Sequence, residues 1–145
     1  MRVLESFFDE LEKDSRYYHS SPSSGLKEIS PDYNKKRHKK GMSDKYVYVT
    51  DDPSYASAFG FEWSEEDGIG FGRVNKGPWT LEVPKKELPR LDNPMSLYKV
   101  EGNTKRADTN TPEWISKNPL KVVDEKKYNT VRSALKDYGV RIKVI

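Results

Sequence analysis

The sequence predicts a single α+β domain with several short strands and few helices. Three observations predict it. The length of 145 residues suits one domain. Aromatic residues reach 12%, so large rings can build a core although only 34% of residues are hydrophobic. Short segments rich in β-branched and aromatic residues alternate with segments rich in Gly, Pro and Ser, and helical periodicity is confined to short stretches.

Residues 2–14 are the first predicted element, an amphipathic helix whose apolar stripe consists of Val3, Leu4, Phe7, Phe8 and Leu11. A short strand follows at Tyr17–His19. Residues 20–45 have loop composition, with one helical turn predicted at Gly25–Ile29. The apolar and β-branched residues of Tyr46–Thr50 predict the next strand.

A helix is predicted directly after this strand, because Asp51 or Asp52 can cap it and Pro53 suits its first turn. It should reach about Phe59, with Gly60 ending it. Residues 62–77 are predicted to be an exposed loop, and residues 85–91 a helical turn. A later helix is predicted at Thr130–Asp137, before the breaker Gly139. The remaining strands are predicted at Trp79–Val83, Ser96–Val100, Glu113–Ser116 and Leu120–Lys127, and Val140–Ile145 is predicted to be a final strand or a tail.

The composition excludes several kinds of chemistry. The chain has no Cys, which excludes disulfides and thiolate catalysis. It has two His, so no metal site is expected. No segment has the length and apolarity of a membrane span, and the N-terminus lacks the apolar core of a signal peptide. The expectation is a cytoplasmic protein that does not bind membranes.

Charge is unevenly distributed along the chain. Residues 51–70 carry six acidic residues and no Lys or Arg. A basic run lies upstream and consists of Lys35, Lys36, Arg37, Lys39 and Lys40. Such a run can attract nucleic acid, nucleotide phosphate or an acidic protein surface. The alternative is a solvated loop with no partner.

Three segments together suggest one functional site. The first is Tyr17-Tyr18-His19-Ser20-Ser21 on an early strand. The second runs from Tyr48 through Thr50 and Asp51 into the predicted helix, and Phe59 lies eleven residues after Tyr48. The third is Glu113-Trp114-Ile115, which opens a late strand. None of these segments is specific alone, but their order and spacing point to one arrangement.

In this order the segments resemble the His-Tyr-Glu group of the ADP-ribosyltransferase superfamily, which includes diphtheria-toxin-like and poly-ADP-ribose-polymerase-like enzymes. The resemblance covers residues 17–123 and implies split antiparallel sheets with few short helices. It assigns His19 to the first motif, Tyr48 and Phe59 to the two rings, and Glu113 to the acidic position. Ser20-Ser21 replaces the family's Gly-Thr, and Phe59 replaces its second Tyr.

The resemblance implies NAD as co-substrate and a role for each residue. His19 would bond a ribose hydroxyl, Tyr48 and Phe59 would sandwich the nicotinamide, and Ser21 and Thr50 would be further NAD-binding residues. His19 and Glu113 would be catalytic. A fixed carboxylate also suits the chemistry itself, since cleaving the glycosidic bond passes through an oxocarbenium-like state. The residue two positions before Glu113 is Thr111, which does not indicate whether the acceptor is a protein or a nucleic acid.

Two other functions compete with NAD-dependent transfer. One is a non-catalytic module of the same fold that binds, and so sequesters, a nucleotide or nucleotide-derived signal, or that binds a partner protein. The other is removal of an RNA 2′-phosphate, for which no clear Arg and His counterpart is found. The alternatives for the residues are structural: His19, Tyr48 and Phe59 as ordinary strand and core residues, Glu113 as a surface residue, and Trp79 as core. The small domain without Cys is in the style of a phage or mobile-element effector.

Overall fold

A computed structural model describes residues 16–31, 45–107 and 111–145. The predicted helix over residues 2–14 and the basic run at 35–40 lie outside these ranges. Within them, two sheets are formed by β1 Arg16–Ser21, β2 Glu28–Ile29, β3 Val47–Thr50, β4 Gly70–Gly72, β5 Thr80–Val83, β6 Met95–Glu101, β7 Lys105–Arg106, β8 Glu113–Ser116, β9 Leu120–Tyr128 and β10 Arg141–Val144. The helices are α1 Pro53–Ser57 and α2 Val131–Asp137, with 3-10 turns at Glu65–Asp67 and Lys85–Asp92.

The larger sheet has seven strands in the order β2-β9-β6-β1-β3-β8-β7, and each neighbouring pair is antiparallel. The smaller sheet has the order β10-β5-β4, in which β5 pairs antiparallel with β4 and parallel with β10. The predicted α+β class, with largely antiparallel sheets and few short helices, is therefore confirmed.

Two apolar cores cover the two faces of the larger sheet. The main core joins α1, α2, the smaller sheet and the inward residues Met95 and Leu97 of β6. The second core contains Val47, Val49 and Tyr98 together with residues of β2 and β9. Because successive strand residues point to opposite faces, β3 contributes Val47 and Val49 to one face and Tyr48 and Thr50 to the other.

The helix caps explain why α1 and α2 begin where they do. Asp52 precedes α1 and accepts a hydrogen bond from the backbone N–H of Ser54 at 2.9 Å. Thr130 precedes α2 and accepts one from Ser133 at 3.0 Å. Both side chains satisfy an N–H group that the first helical turn leaves without a partner. α1 ends before Phe59, which lies in the following turn.

Two predicted elements are wrong. The segment Gly25–Ile29 is no helical turn, because Ile29 is buried and pairs with Leu120 as part of β2. Residues 62–77 are not an exposed loop, because Trp63 and Ile69 are buried in the main core and β4 lies within the segment. Glu62, Glu65 and Glu66 face solvent, while Trp63 and Ile69 pack inward.

Candidate functional site

The strands that carry the three motifs are neighbours in the larger sheet, in the order β1-β3-β8. Tyr18 pairs with Thr50, and Thr50 pairs in turn with Glu113. Cross-strand partners in antiparallel strands project from the same face. A row of side chains therefore runs across the sheet from β1 to Glu113, on the face that carries the main core.

Glu113 is a buried carboxylate with only 3% of its surface exposed. Its Oε1 accepts a hydrogen bond from the hydroxyl of Tyr55, and its Oε2 has no hydrogen-bond partner among the described residues. Burying a carboxylate oxygen without a partner costs free energy, so such a group calls for a functional explanation. The alternative of a surface Glu is wrong.

Tyr55 is the residue that the sequence prediction missed. It lies in α1, is 3% exposed, and packs its ring against Phe59, Phe71 and Trp79 with centroids 5.0 to 5.5 Å apart. Its hydroxyl also interacts with Thr111. Burial, reinforced by the negative charge of Glu113, raises the pKa of Tyr55 above its usual value. The phenol therefore stays protonated and donates to Glu113.

His19 makes a different kind of contact. Its Nδ1 lies 2.9 Å from the backbone oxygen of Tyr48. A carbonyl can only accept, so Nδ1 carries a hydrogen in this arrangement. Because His19 follows Tyr18 and pairs with Tyr98 of the second core, its ring projects from the face opposite to Glu113. The structure thus brings the His and Glu strands close together but separates the two side chains by the sheet.

The two predicted rings also have distinct surroundings. Tyr48 is half-buried on β3 and meets the edge of the Tyr46 ring at 6.5 Å. Phe59 packs in the main core, where its ring stacks on Trp63 with centroids 5.7 Å apart and meets the edge of Phe71 at 5.6 Å. The core interpretation of Phe59 therefore agrees with its contacts.

The two predicted hydroxyl residues bond locally. Thr50 is 2% exposed, and its hydroxyl accepts a hydrogen bond from the backbone of Asp52 at 3.1 Å. Ser21 ends β1, and its hydroxyl accepts one from the backbone of Ser23 at 3.1 Å. Each hydroxyl therefore shapes the chain that follows its strand.

A cleft of about 420 Å³ opens beside the Glu113 segment. Its walls include Phe71, Arg73, Trp79, Arg106, Thr111 and Pro112. The Arg73 guanidinium lies over the Trp79 ring at 4.3 Å, and the Arg106 guanidinium lies over Trp114 at 5.5 Å. Trp79 belongs to the main core and Trp114 to the second core, so only the Arg73 guanidinium is held on the cleft side of the larger sheet.

Trp79 connects this cleft to the helix that carries Tyr55. Its indole N–H donates to Oδ2 of Asp52 at 2.9 Å, while Oδ1 of Asp52 caps α1. One carboxylate thus fixes the start of the helix and the wall of the cleft. Trp79 is 8% exposed, which confirms the predicted core position, although the residue also lines the cleft.

The arginines of the cleft were not among the predicted site residues. Each lies outside the recognised motifs, in a segment with no periodic pattern, and only the folded chain brings Arg73 and Arg106 to one cleft. Among the described residues no group of three or more His, Cys, Asp and Glu side chains could hold a metal ion. No helix in those same ranges is long and apolar enough to cross a membrane.

Comparison with known proteins gave no match to a family model, to a curated protein or to a solved structure.

Proposed function

We propose that the chain is an NAD-dependent ADP-ribosyltransferase that transfers ADP-ribose to a macromolecular acceptor, with Glu113 as its catalytic carboxylate. The observation that carries the proposal is the state of Glu113: it is buried, held at Oε1 by Tyr55, and without a described partner at Oε2. Its position on the strand next to Thr50 and Tyr48 agrees with the order of motifs in the resembled family.

Cleavage of the bond between ribose and nicotinamide is favoured by a negative charge that is already fixed in the site. When the bond between ribose and nicotinamide breaks, nicotinamide leaves with the electron pair and positive charge develops on the sugar. A carboxylate already oriented in a water-poor environment stabilises that charge without reorganising. Tyr55 supplies the orientation, and the unpartnered Oε2 is the atom that would face the sugar. A nucleophile of the acceptor, or water, would then complete the reaction at the same carbon.

The direct test is the substitution Glu113→Gln, which keeps size and removes charge. We expect the release of nicotinamide from NAD, measured by chromatography, to fall by about 100-fold or more. Glu28→Gln, on the exposed end of β2, serves as the matched control and should keep wild-type turnover. Thermal unfolding of both variants checks that the fold is intact. Turnover within a few fold of wild type in Glu113→Gln would reject this role.

A second candidate is a non-catalytic module that binds NAD or a related nucleotide, or a partner protein. The opposite placement of the His19 and Glu113 side chains favours it, because the two groups do not converge on one point of the sheet. If the chain is such a module, NAD should raise its melting temperature while no nicotinamide is released. Ligand at 100 times its dissociation constant adds about 2.7 kcal/mol of stability, which such a measurement detects.

For either function we propose the cytoplasm, where NAD and nucleotide signals are present. The basic residues Lys35, Lys36, Arg37, Lys39 and Lys40 would serve an acidic or nucleic-acid acceptor there. Replacing all five with Gln should slow the modification of such an acceptor, and the loss should shrink as salt rises.

A further inference from the structure

We infer that the outer edge of β10 is a docking site for an extended segment of a partner protein in which acidic and apolar residues alternate. The smaller sheet has the order β10-β5-β4, so β10 pairs with β5 on one side and with no described strand on the other. Such an edge can accept a further strand from another chain. The inference rests on β10 alone and is independent of Glu113 and of transfer chemistry.

The first argument concerns the backbone groups of β10. The N–H of Arg141 donates to the backbone oxygen of Trp79 at 2.9 Å, and the N–H of Ile145 donates to β5 at 3.0 Å, so both groups point to the β5 side. Successive residues of a strand direct their backbone groups to alternate sides. The N–H and C=O groups of Ile142 and Val144 therefore point away from β5, where an added strand can bind them.

The second argument is that β10 exposes apolar surface at this edge. Val144 is 52% exposed and Ile145 is 57% exposed, and they are two of the three large apolar side chains that are exposed among the described residues. Ile142 projects from the same face as Val144 and packs against the main core, beside the buried Leu81 and Val83 of β5. A strand added at this edge would cover Val144 and continue an apolar face that is already buried, which is favourable.

The third argument concerns the charges on the opposite face of β10. Arg141 and Lys143 alternate with Ile142 and Val144, so both cations project from the other side of the sheet. Neither forms an ion pair with a carboxylate of the described chain, Glu82 on the neighbouring β5 included. Acidic side chains placed opposite these two cations would stabilise an added strand.

A second copy of this chain fits the edge less well than an acidic segment does. If two β10 strands paired antiparallel about Lys143, the two Lys143 side chains would lie opposite each other. If they paired about Ile142, Arg141 would lie opposite Lys143 of the second copy. Like charges directly opposite destabilise a strand pair, and lysine on an edge strand opposes pairing between identical chains. The charges of β10 therefore favour an acidic partner.

The test uses the full chain and a fluorescein-labelled peptide of sequence Ser-Glu-Val-Glu-Val-Glu-Ser, with binding measured by fluorescence anisotropy at about 50 mM salt, where screening is weak. We expect Lys143→Glu to weaken binding by about tenfold, because an attraction becomes a repulsion. Lys127→Glu is the matched control, because Lys127 is exposed on β9 and the substitution changes the net charge equally; it should bind as wild type does. A peptide with Lys in place of each Glu should bind wild type about tenfold more weakly than the acidic peptide does.

Val144→Pro tests the backbone contribution. Proline is tolerated on an edge strand where its nitrogen faces away from the sheet, so the variant should fold, while binding should weaken by about tenfold through the lost hydrogen bond. Val144→Thr keeps the N–H and the β-branch and should retain binding, and thermal melts establish that both variants are folded. A peptide N-methylated at alternate residues tests the same bonds without altering the chain. In hydrogen exchange followed by NMR, the acidic peptide should slow exchange at the amides of Ile142 and Val144 and leave that of Arg141 unchanged.

The absence of binding of the acidic peptide to wild type at about 1 mM, the weak end of specific affinity, would overturn the inference. So would equal affinity for the acidic and the basic peptide, or equal affinity of wild type, Lys143→Glu and Val144→Pro. Sedimentation measures self-association of the chain. A dimer of wild type that Val144→Pro dissociates would assign the edge to a second copy and would overturn the acidic partner.

Discussion

The hydroxyl of Tyr55 donates a hydrogen bond to Oε1 of Glu113 across 58 residues of sequence. This bond joins α1 to β8 and accounts for one of the two oxygens of a buried carboxylate. It also explains how Glu113 can be held among large apolar side chains, since the aromatic contacts of Tyr55 fix the donor.

The substitution Tyr55→Phe removes the hydroxyl and keeps the ring, so it should distinguish the contribution of the hydrogen bond from that of ring packing. The ring contacts persist, but Glu113 loses its only described side-chain donor, so the free energy of unfolding should fall by about 1 to 3 kcal/mol. If Glu113 is catalytic, NAD cleavage should fall by about 10- to 100-fold, because the carboxylate is no longer held in place. Urea unfolding and nicotinamide release are the measurements. Tyr46→Phe is the control, and an equal effect of the two substitutions would contradict the role of Tyr55.

Asp52 and Asp51 offer a matched pair of neighbouring carboxylates. Asp52 caps α1 and accepts the indole N–H of Trp79, whereas Asp51 is exposed. Asp52→Ala should lower the free energy of unfolding by about 1 to 2 kcal/mol through the lost cap alone. Asp51→Ala should change it by less than about 0.5 kcal/mol. Intrinsic tryptophan fluorescence and thermal melts report both effects, and equal melting temperatures of the two variants would contradict the double role of Asp52.

The two predicted sandwich rings should differ in their contributions to stability. Phe59→Ala removes contacts with Tyr55, Trp63 and Phe71 and should cost about 3 kcal/mol of unfolding free energy. Tyr48→Ala, at a half-buried strand position, should cost less. If Tyr48 also binds a ligand ring, NAD affinity in the folded variant should fall by about 1 to 3 kcal/mol. If Tyr48→Ala lowered the free energy of unfolding more than Phe59→Ala does, the expected difference between the two rings would be contradicted.

Glu125 should contribute stability that depends on pH. Its carboxylate accepts hydrogen bonds from Ser96 at 2.6 Å and from the backbone of Gly25 at 3.2 Å. The Ser96 bond is the main cause that holds the pKa of Glu125 below its usual value. A lowered pKa in the folded state means that the stabilisation is present above the unfolded pKa of about 4.3 and is lost as pH falls through the folded value.

The stability difference between wild type and Glu125→Gln should therefore be larger at pH 7 than near pH 3. We expect a difference of under about 1 kcal/mol at neutral pH, because Glu125 is still accessible to solvent and its charge is screened. Urea unfolding across this pH range measures it. Glu65→Gln, on an exposed 3-10 turn, is the control, and a difference independent of pH would contradict the linkage.

Local signals predicted most of the elements correctly. The β-branched run predicted β3 to within one residue, and Asp52 and Pro53 marked the start of α1, although the helix ends at Ser57, two residues before the predicted end. Glu113–Ser116 was predicted with its observed bounds. The site was harder, because its features depend on tertiary contacts. The bond of Tyr55 to Glu113 joins residues far apart in sequence, and no periodic pattern marks it.

The failures have a common physical origin. Residues 62–77 have loop composition, but Trp63 and Ile69 are large enough to anchor them in the core. Gly25 adopts a φ of +75°, which turns the chain and allows Ile29 to pair with β9 instead of continuing a helical turn. In both segments, burial of one or two side chains outweighed the average composition around them.

The pairing between β1 and β3 consists of the single register pair Tyr18 and Thr50, whereas β1 and β6 share six pairs. At this narrow seam the larger sheet can be divided into two plates, β2-β9-β6-β1 and β3-β8-β7. Motion at such a seam disturbs few backbone hydrogen bonds. In hydrogen exchange, the amides of each plate should therefore exchange together, at a rate that differs between the two plates. His19 and Glu113 belong to different plates, and the distance between their strands is the quantity that such motion would change.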